Sequence, residues 1–434
     1  MKVGFVSLGC SKNLVDTEMC IGLFKKHKYE IVSDPKEAEI IVVNTCGFIE
    51  SAKEEAINTI LEMSVYKETG NCKYLIAMGC LVKRYKNELE KAMPEVDLWV
   101  SLDEYDKLWL KVEQMINKDK PSNDYLSYEE RSLTTGDTTA YLKIAEGCSN
   151  YCTYCAIPAI RGKFISRPME EILKEAEKLA KQGIKEIIVI AQDTTKYGID
   201  LYGESKLAEL LEALEKTEGL KWIRFLYAYP ESVTDELIEV VAKSKKICHY
   251  FDIPIQHRSN IILKRMNRKT TGESIETLIT KIRTRIPDAI LRTSLIVGFP
   301  GETGENFDEL YKFVNKTKFD KLGVFAYSKE DGTPASKMDG QIHFNTKKAR
   351  RNKIMALQQE ISKSALHSKI GNTYEALIEN ITMDGKYYIA RTYMDVPDMD
   401  GVCWIKNTAN LEIGQFVKCK IIDVMEYDLI GEIN

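Results

Sequence analysis

At 434 residues, 44 % hydrophobic and 29 % charged, the chain is long enough for two or three domains and too apolar to be disordered. No apolar run approaches a membrane span, and no basic, then apolar, then small-residue leader precedes the first strand at Lys2, so a cytoplasmic protein without a membrane partner is expected. Eleven cysteines in such a chain argue against a disulfide framework and for metal or redox chemistry; the formal net charge of −4 says little by itself.

The first ~115 residues alternate short β-like runs (3–7, 40–43, 74–78, 98–100) with helical patterns (14–28, 52–68, 81–93, 105–116), which predicts a doubly wound parallel α/β sheet. Residues 117–139 are polar, contain Pro121 and Gly136, lack periodicity and read as a linker. Six βα-type units follow, with strands at 141–145, 186–191, 222–227, 250–255, 290–297 and 321–327. Spread over about 190 residues, they predict a partial (β/α)6 barrel. A long basic helix over 346–369 leads into short strands with turns at Gly385, Gly401 and Gly414, which predicts a small five-stranded β-barrel. The expected domains are 1–117, 134–365 and 366–434.

The strongest local signal is Gly147-Cys148-Ser149-Asn150-Tyr151-Cys152-Thr153-Tyr154-Cys155. Its three cysteines follow the first barrel strand, at the strand end where the active sites of βα barrels gather. Three closely spaced thiolates suit a four-iron cubane held by three irons, the fourth being open to a ligand. The competing reading is structural zinc, which wants four ligands; the next cysteine or histidine is Cys248, far along the chain.

A second trio is dispersed: Cys10 after the first strand, Cys46 after the second and Cys80 after the third, each with a glycine beside it. In an open α/β sheet ligands bind beyond the carboxyl ends of the strands, so the three are expected to converge on one point, as ligands of a second cluster. One buried cysteine at a strand end would mean nothing. Cys20, Cys72, Cys248, Cys403 and Cys419 lack such placement and read as buried filler.

The Cys148–Cys155 motif resembles that of the radical S-adenosylmethionine superfamily, with Tyr154 at its usual aromatic position. The Cys10/Cys46/Cys80 trio, ahead of that barrel and a C-terminal TRAM-like (OB-like) domain, resembles the methylthiotransferase family over essentially the whole chain. Several strings are similar to its RimO-type branch, which modifies small-subunit ribosomal protein S-twelve. Among them are Gly9-Cys10-Ser11-Lys12-Asn13-Leu14-Val15-Asp16, Ala191-Gln192-Asp193-Thr194-Thr195, Asp252-Ile253-Pro254-Ile255-Gln256-His257 and Val297-Gly298-Phe299-Pro300-Gly301-Glu302-Thr303.

The resemblance implies methylthiolation of an aspartate β-carbon by two 4Fe-4S clusters and two S-adenosylmethionine molecules. One of these would chelate the open iron of the Cys148/Cys152/Cys155 cluster and, on one-electron reduction, yield a 5′-deoxyadenosyl radical. The other would donate methyl, and the Cys10/Cys46/Cys80 cluster would hold the sulfur. An electron donor and a sulfur source are implied as partners. Where many superfamily members have Gly-Gly-Glu this chain has Ala191-Gln192-Asp193, which makes Gln192 the expected partner of the methionine amino group. Gly298 is expected either to admit adenosine or to form an ordinary strand-to-helix turn. His257 is expected to be structural.

The alternatives are a tRNA methylthiotransferase acting on a modified adenosine beside the anticodon, and a non-catalytic iron–sulfur electron carrier, which would need neither six βα units nor an open iron. Residues 366–434 carry six Lys or Arg against eleven Asp or Glu, a balance of −5, which disfavours direct RNA binding and suits a basic ribosomal protein. Asp395, Asp398 and Asp400, around Pro397, are expected on an exposed loop that meets such a partner. The basic cluster Lys347, Lys348, Arg350, Arg351 and Lys353 reads as a solvated helix face, with RNA contact left open.

Overall fold

The computed structural model describes residues 1–118, 122 and 124–433; Pro121 of the expected linker lies outside the described residues. The first segment is a parallel five-stranded sheet, β1 (Lys2–Ser7), β2 (Glu30–Ile31), β3 (Ile40–Thr45), β4 (Tyr74–Gly79) and β5 (Leu98–Ser101), ordered β2-β1-β3-β4-β5. All six residues of β3 are buried, as a strand covered on both faces requires. It runs two residues beyond its apolar stretch because polar groups there are satisfied. Asn44 Nδ2 donates to the Asn13 carbonyl at 2.9 Å, and Thr45 Oγ1 to the Met78 carbonyl at 2.7 Å.

The barrel strands are β6 (Thr139–Lys143), β9 (Glu186–Ile190), β10 (Trp222–Phe225), β11 (Tyr250–Asp252), β12 (Ile290–Val297) and β13 (Lys321–Ala326). They form two parallel three-stranded sheets, β6-β9-β10 and β11-β12-β13, which adjoin through the bridge between Ile223 and Ile247. The barrel is open between β6 and β13, and each free edge is covered. The helix Ser11–Lys26 of the first domain packs on β6, and the helix Phe344–His367 packs on β13. Three short strands escaped the sequence reading: β2 in the first sheet and, here, β7 (Ala145–Glu146) and β8 (Ile165–Ser166). The antiparallel pairing of β7 and β8 clamps the base of the cysteine-bearing loop. Two residues are too few to show alternation.

The last segment is a closed five-stranded barrel of β14 (Thr373–Ile381), β15 (Tyr387–Thr392), β16 (Cys403–Lys406), β17 (Phe416–Val424) and β18 (Leu429–Ile433). It seals the end of the larger barrel where the strands begin. Phe416 meets Trp222 edge-on at 4.8 Å, and Arg391 binds Glu186 at 2.5 Å, where Arg224 also pairs at 2.9 Å. The acidic loop is not the exposed patch expected from sequence. Asp395 is buried against Lys321 at 2.7 Å, and Asp400 accepts from the Tyr250 hydroxyl at 2.7 Å, which leaves Asp398 alone in solvent. Their partners lie 74 and 150 residues away, beyond the reach of a local reading.

Candidate cluster sites at the barrel mouth

β1, β3 and β4 are neighbours in the sheet, so the segments leaving their carboxyl ends run side by side. Cys10 is the exposed N-cap of the helix Ser11–Lys26; Cys80 is the first residue of the helix Cys80–Ala92; Cys46 follows β3 directly. The glycines let neighbouring segments approach closely. At Gly9, with φ of +86°, a Cβ would stand 2.7 Å from the Cys46 Cβ and 2.9 Å from its Sγ. At Gly47 a Cβ would stand 2.7 Å from the Leu81 Cα. The missing side chains let the three cysteine segments touch one another. Burial pushes the Cys46 thiol up and takes the Cys80 thiol to about 12, and two of the three cysteines begin helices, whose N-termini favour negative charge.

The second trio lies on the loop that β7 and β8 clamp. The Cys148 N–H donates to the Gly162 carbonyl at 3.1 Å and the Cys155 N–H to the Cys152 carbonyl at 3.0 Å, which folds the loop back on itself. Thr153 is tied to the barrel wall by its N–H to the Met266 carbonyl at 3.1 Å and its hydroxyl to the Arg265 carbonyl at 2.8 Å. Arg268 closes the far side: its guanidinium lies 4.1 Å from the Tyr229 ring centroid and 4.0 Å from the Cys152 Sγ. Burial raises the Cys148 thiol and takes Cys155 to about 12.

Among the described residues, no three His, Cys, Asp or Glu side chains converge on a point that a single metal ion could occupy. Three thiols on neighbouring segments at each place are the donor set that an iron–sulfur cluster takes.

The two trios meet across residues 156–161. Cys80 packs against Ala156 and Ile160, which follow Cys155 directly. The segment ends at Arg161, whose side chain is 2 % exposed and pairs with Asp16 of the first domain at 3.0 Å and Glu146 at 2.8 Å. Lys143, buried at the end of β6, pairs with the same two carboxylates, at 2.9 Å for Glu146. Two cations and two anions thus form a closed quartet that holds the first domain on the barrel mouth.

Of the other residues expected from sequence, Tyr154 packs into a cluster with Ile262, Met266 and Phe299 behind its loop. Gln192 lies at the mouth: its Nε2 donates to Glu146 at 3.3 Å, and among the described residues its buried Oε1 has no donor. An acceptor left open there suits an ammonium group. Gly298 has φ of +69°, and the Lys347 side chain fills the place a Cβ would take, so an adenosine contact there requires Lys347 to move. Lys347 also donates to the Tyr327 carbonyl at 2.9 Å and Arg350 pairs with Glu302 at 3.0 Å, so two of the five basic residues brace the barrel. Sequence reasoning missed Arg161, Arg268 and Lys12, the cations nearest the cysteines. Only the adjacency of Lys12 and Arg161 to the cysteine motifs could have flagged them.

His257 is structural, as expected. It is fully buried, its Nδ1 accepts from the Ser259 N–H at 2.9 Å, and burial, with Arg350 nearby, holds its pKa down at about 3. The fold therefore keeps it neutral. Stability from this group is complete above the unfolded value of about 6.5 and drains as pH falls from there towards 3, at about 1.4 kcal/mol per unit. Between pH 6.5 and 5 this amounts to roughly 2 kcal/mol. The denaturant midpoint should drop over that window in the wild type and stay nearly flat in His257→Asn; equal slopes would refute the assignment.

Family matches divide the chain as its folds do. The family described as "Uncharacterized protein family UPF0004" matches residues 2–101, the "Radical SAM superfamily" matches 142–314 and the "TRAM domain" matches 370–433. Among solved structures, the radical S-adenosylmethionine methyltransferase TsrM from Kitasatospora setae superposes with a TM-score of 0.57 at 13 % identity. That match covers 77 % of this chain and 73 % of the other and speaks for the fold alone. Among curated relatives, the "Ribosomal protein uS12 methylthiotransferase RimO" of Alkaliphilus oremlandii is 63 % identical over 100 % of this chain and 99 % of its own length. The protein of the same name from Acetivibrio thermocellus is 51 % identical over 100 % and 98 %. With that identity sustained from end to end, the chain belongs to the ribosomal protein uS12 methylthiotransferase family of radical SAM enzymes.

Proposed function

We propose that the protein methylthiolates the β-carbon of an aspartate on small-subunit ribosomal protein S-twelve, with Cys148, Cys152 and Cys155 holding one 4Fe-4S cluster and Cys10, Cys46 and Cys80 the other. The observation that carries this reading is the packing of Cys80, from the first trio, against Ala156 and Ile160 in the segment that follows Cys155 of the second. A hydrogen-abstracting centre and a sulfur carrier must both reach the same carbon, and a shared rigid segment fixes their separation.

When bound, the clusters and S-adenosylmethionine supply reductive cleavage, hydrogen abstraction and the transferred sulfur. The chain's own part is to hold and to exclude. Gln192 Oε1 would accept from the methionine ammonium, Tyr154 backs the cysteine loop, and the turn at Gly298 would border the adenosine once Lys347 has moved aside. Arg268 places positive charge beside Cys152. The neutral quartet of Asp16, Glu146, Lys143 and Arg161 closes the mouth on the first domain's side against water.

The working division is 1–117 for the sulfur-carrying domain, 134–365 for the radical SAM core and 366–434 for the TRAM-like domain. Once Glu379, Asp395, Asp400 and Arg391 are set aside as interface residues, the last domain still presents an acidic excess, with Glu412, Asp423 and Glu426 in solvent. That excess favours a basic protein over RNA as the docking partner. Among the described residues no helix is long and apolar enough to cross a membrane. The reading places the protein in the cytoplasm with the ribosome and requires an electron donor and a sulfur source.

Mass spectrometry of cells lacking and expressing the chain tests the reading. A gain of methylthio-aspartate in digests of the ribosomal protein, with no change in tRNA nucleosides, is expected. Methylthio-adenosine in tRNA, with the ribosomal protein unmodified, would move the assignment to the tRNA reading.

A further inference from the structure

Lys12 sits two residues after Cys10, at the start of the helix that covers β6, and is only 6 % exposed. Its ammonium does not fold back onto its own domain. It reaches across the barrel mouth to Tyr227, beyond the end of β10, and stands 3.0 Å from the centre of that ring. Tyr227 is held in the left-handed region at φ of +62°, a conformation that costs an aromatic residue energy and persists only where the surroundings impose it. Its N–H donates to Asp252 at 3.0 Å and its carbonyl accepts from the Thr194 N–H at 3.2 Å, which fixes the ring beneath the ammonium.

The anions around this position are already taken. Asp16 and Glu146 are shared by Lys143 and Arg161, and Asp252 is paired with Arg292 at 3.0 Å. Among the described residues no carboxylate lies within ion-pairing distance of Lys12. A buried ammonium that faces a ring, with Cys10, Asp252 and Glu146 favouring its charge but no carboxylate within ion-pairing distance among the described residues, has lost most of its hydration for a partial return, a state that binding a carboxylate relieves.

We propose that Lys12 binds the side-chain carboxylate of the target aspartate and so positions its β-carbon between the two cysteine sites. This rests on the functional reading above and deepens it. The carboxylate carbon is bonded directly to the carbon that is to lose hydrogen and gain sulfur. A charge-assisted hydrogen bond to the carboxylate therefore fixes the reacting carbon to within one bond length, and Cys10, two residues away, lies on the side from which sulfur arrives. An asparagine at the same place offers no charge to match and leaves the ammonium unpaired, so Lys12 also selects aspartate over its amide.

The test measures binding of the full-length, cluster-loaded protein to purified ribosomal protein S-twelve and to the form whose modified aspartate is replaced by asparagine. The wild type is expected to bind the aspartate form at least tenfold tighter. Lys12→Met is expected to bind both forms equally, at the weaker affinity, while Lys12→Arg retains part of the preference. If Lys12→Met does not accumulate as folded protein, Lys12→Gln carries the same comparison. A preference undiminished in the neutral variants, or no preference in the wild type, overturns the assignment. So does a loss of S-adenosylmethionine binding with the aspartate preference intact. Formation of methylthio-aspartate by the wild type is scored separately: its absence brings down the functional reading itself, whereas its presence beside an unchanged preference brings down only Lys12.

Discussion

Replacing Cys148, Cys152 and Cys155 together with alanine should abolish reductive cleavage of S-adenosylmethionine and remove about half of roughly eight irons from anaerobically reconstituted protein. The expectation follows from the loop these residues share. Nothing else on the clamped segment offers a soft ligand, and Arg268 and Tyr229 beside Cys152 bear no group that could replace a thiolate. The complementary change of Cys10, Cys46 and Cys80 should remove a similar amount of iron yet leave cleavage in place, because that trio lies on the first domain's sheet and not on the barrel loop. Iron analysis and chromatographic measurement of 5′-deoxyadenosine read both variants. Continued 5′-deoxyadenosine production by the first variant would falsify the division of labour between the two sites.

Arg161→Met should cost about 3–5 kcal/mol of stability, because it breaks a buried ion pair and leaves Asp16, with the partly exposed Glu146, to share one lysine. Asp16 is 2 % exposed, Lys143 is 3 % exposed, and neither has a route to water on the time average. The change also frees Asn13, whose Oδ1 accepts from Arg161 at 2.5 Å while its Nδ2 donates to the Leu8 and Thr45 carbonyls at 3.0 Å. Those two carbonyls flank Cys10 and Cys46, so part of the iron at that site should be lost along with stability. Lys174→Met, which removes a surface pair with Glu129, is the control and should leave the denaturant midpoint unchanged. A midpoint for Arg161→Met within about 1 kcal/mol of the wild type would show that the quartet does not hold the domains together.

What could be read from the sequence was whatever is local and repeated. The cysteines at strand ends, the six βα units and the terminal barrel all announce themselves within windows of ten or so residues, where apolar periodicity is decisive. Long-range electrostatics were not legible. Asp395 and Asp400 look like solvent residues beside a proline, and only Lys321 and Tyr250, from a different domain, make them interior. The same holds at the site. The cysteines were found by spacing, but the cations that surround them come from three separate stretches and become a set only when β6, β10 and the first helix share one mouth. The two-residue strands β7 and β8 carry no periodicity, so the clamp beneath the Cys148 loop was invisible too.

The pairing at the barrel floor sets a timetable for the newborn chain. Glu186 finds Arg224 after only 38 further residues, but its second partner, Arg391, is added 205 residues later. At about 5–20 residues per second the ribosome takes roughly 10–40 s to cover that distance. Trp222 and Tyr250, made early in that interval, wait beyond its end for Phe416 and Asp400, and until then the barrel stands with its floor wet. The last domain to emerge is thus the one that finishes the hydrophobic interior of the domain before it. A chain that ends between Ala326 and Arg391 has all six strands of its central barrel and no seal, a ready substrate for chaperones and proteases.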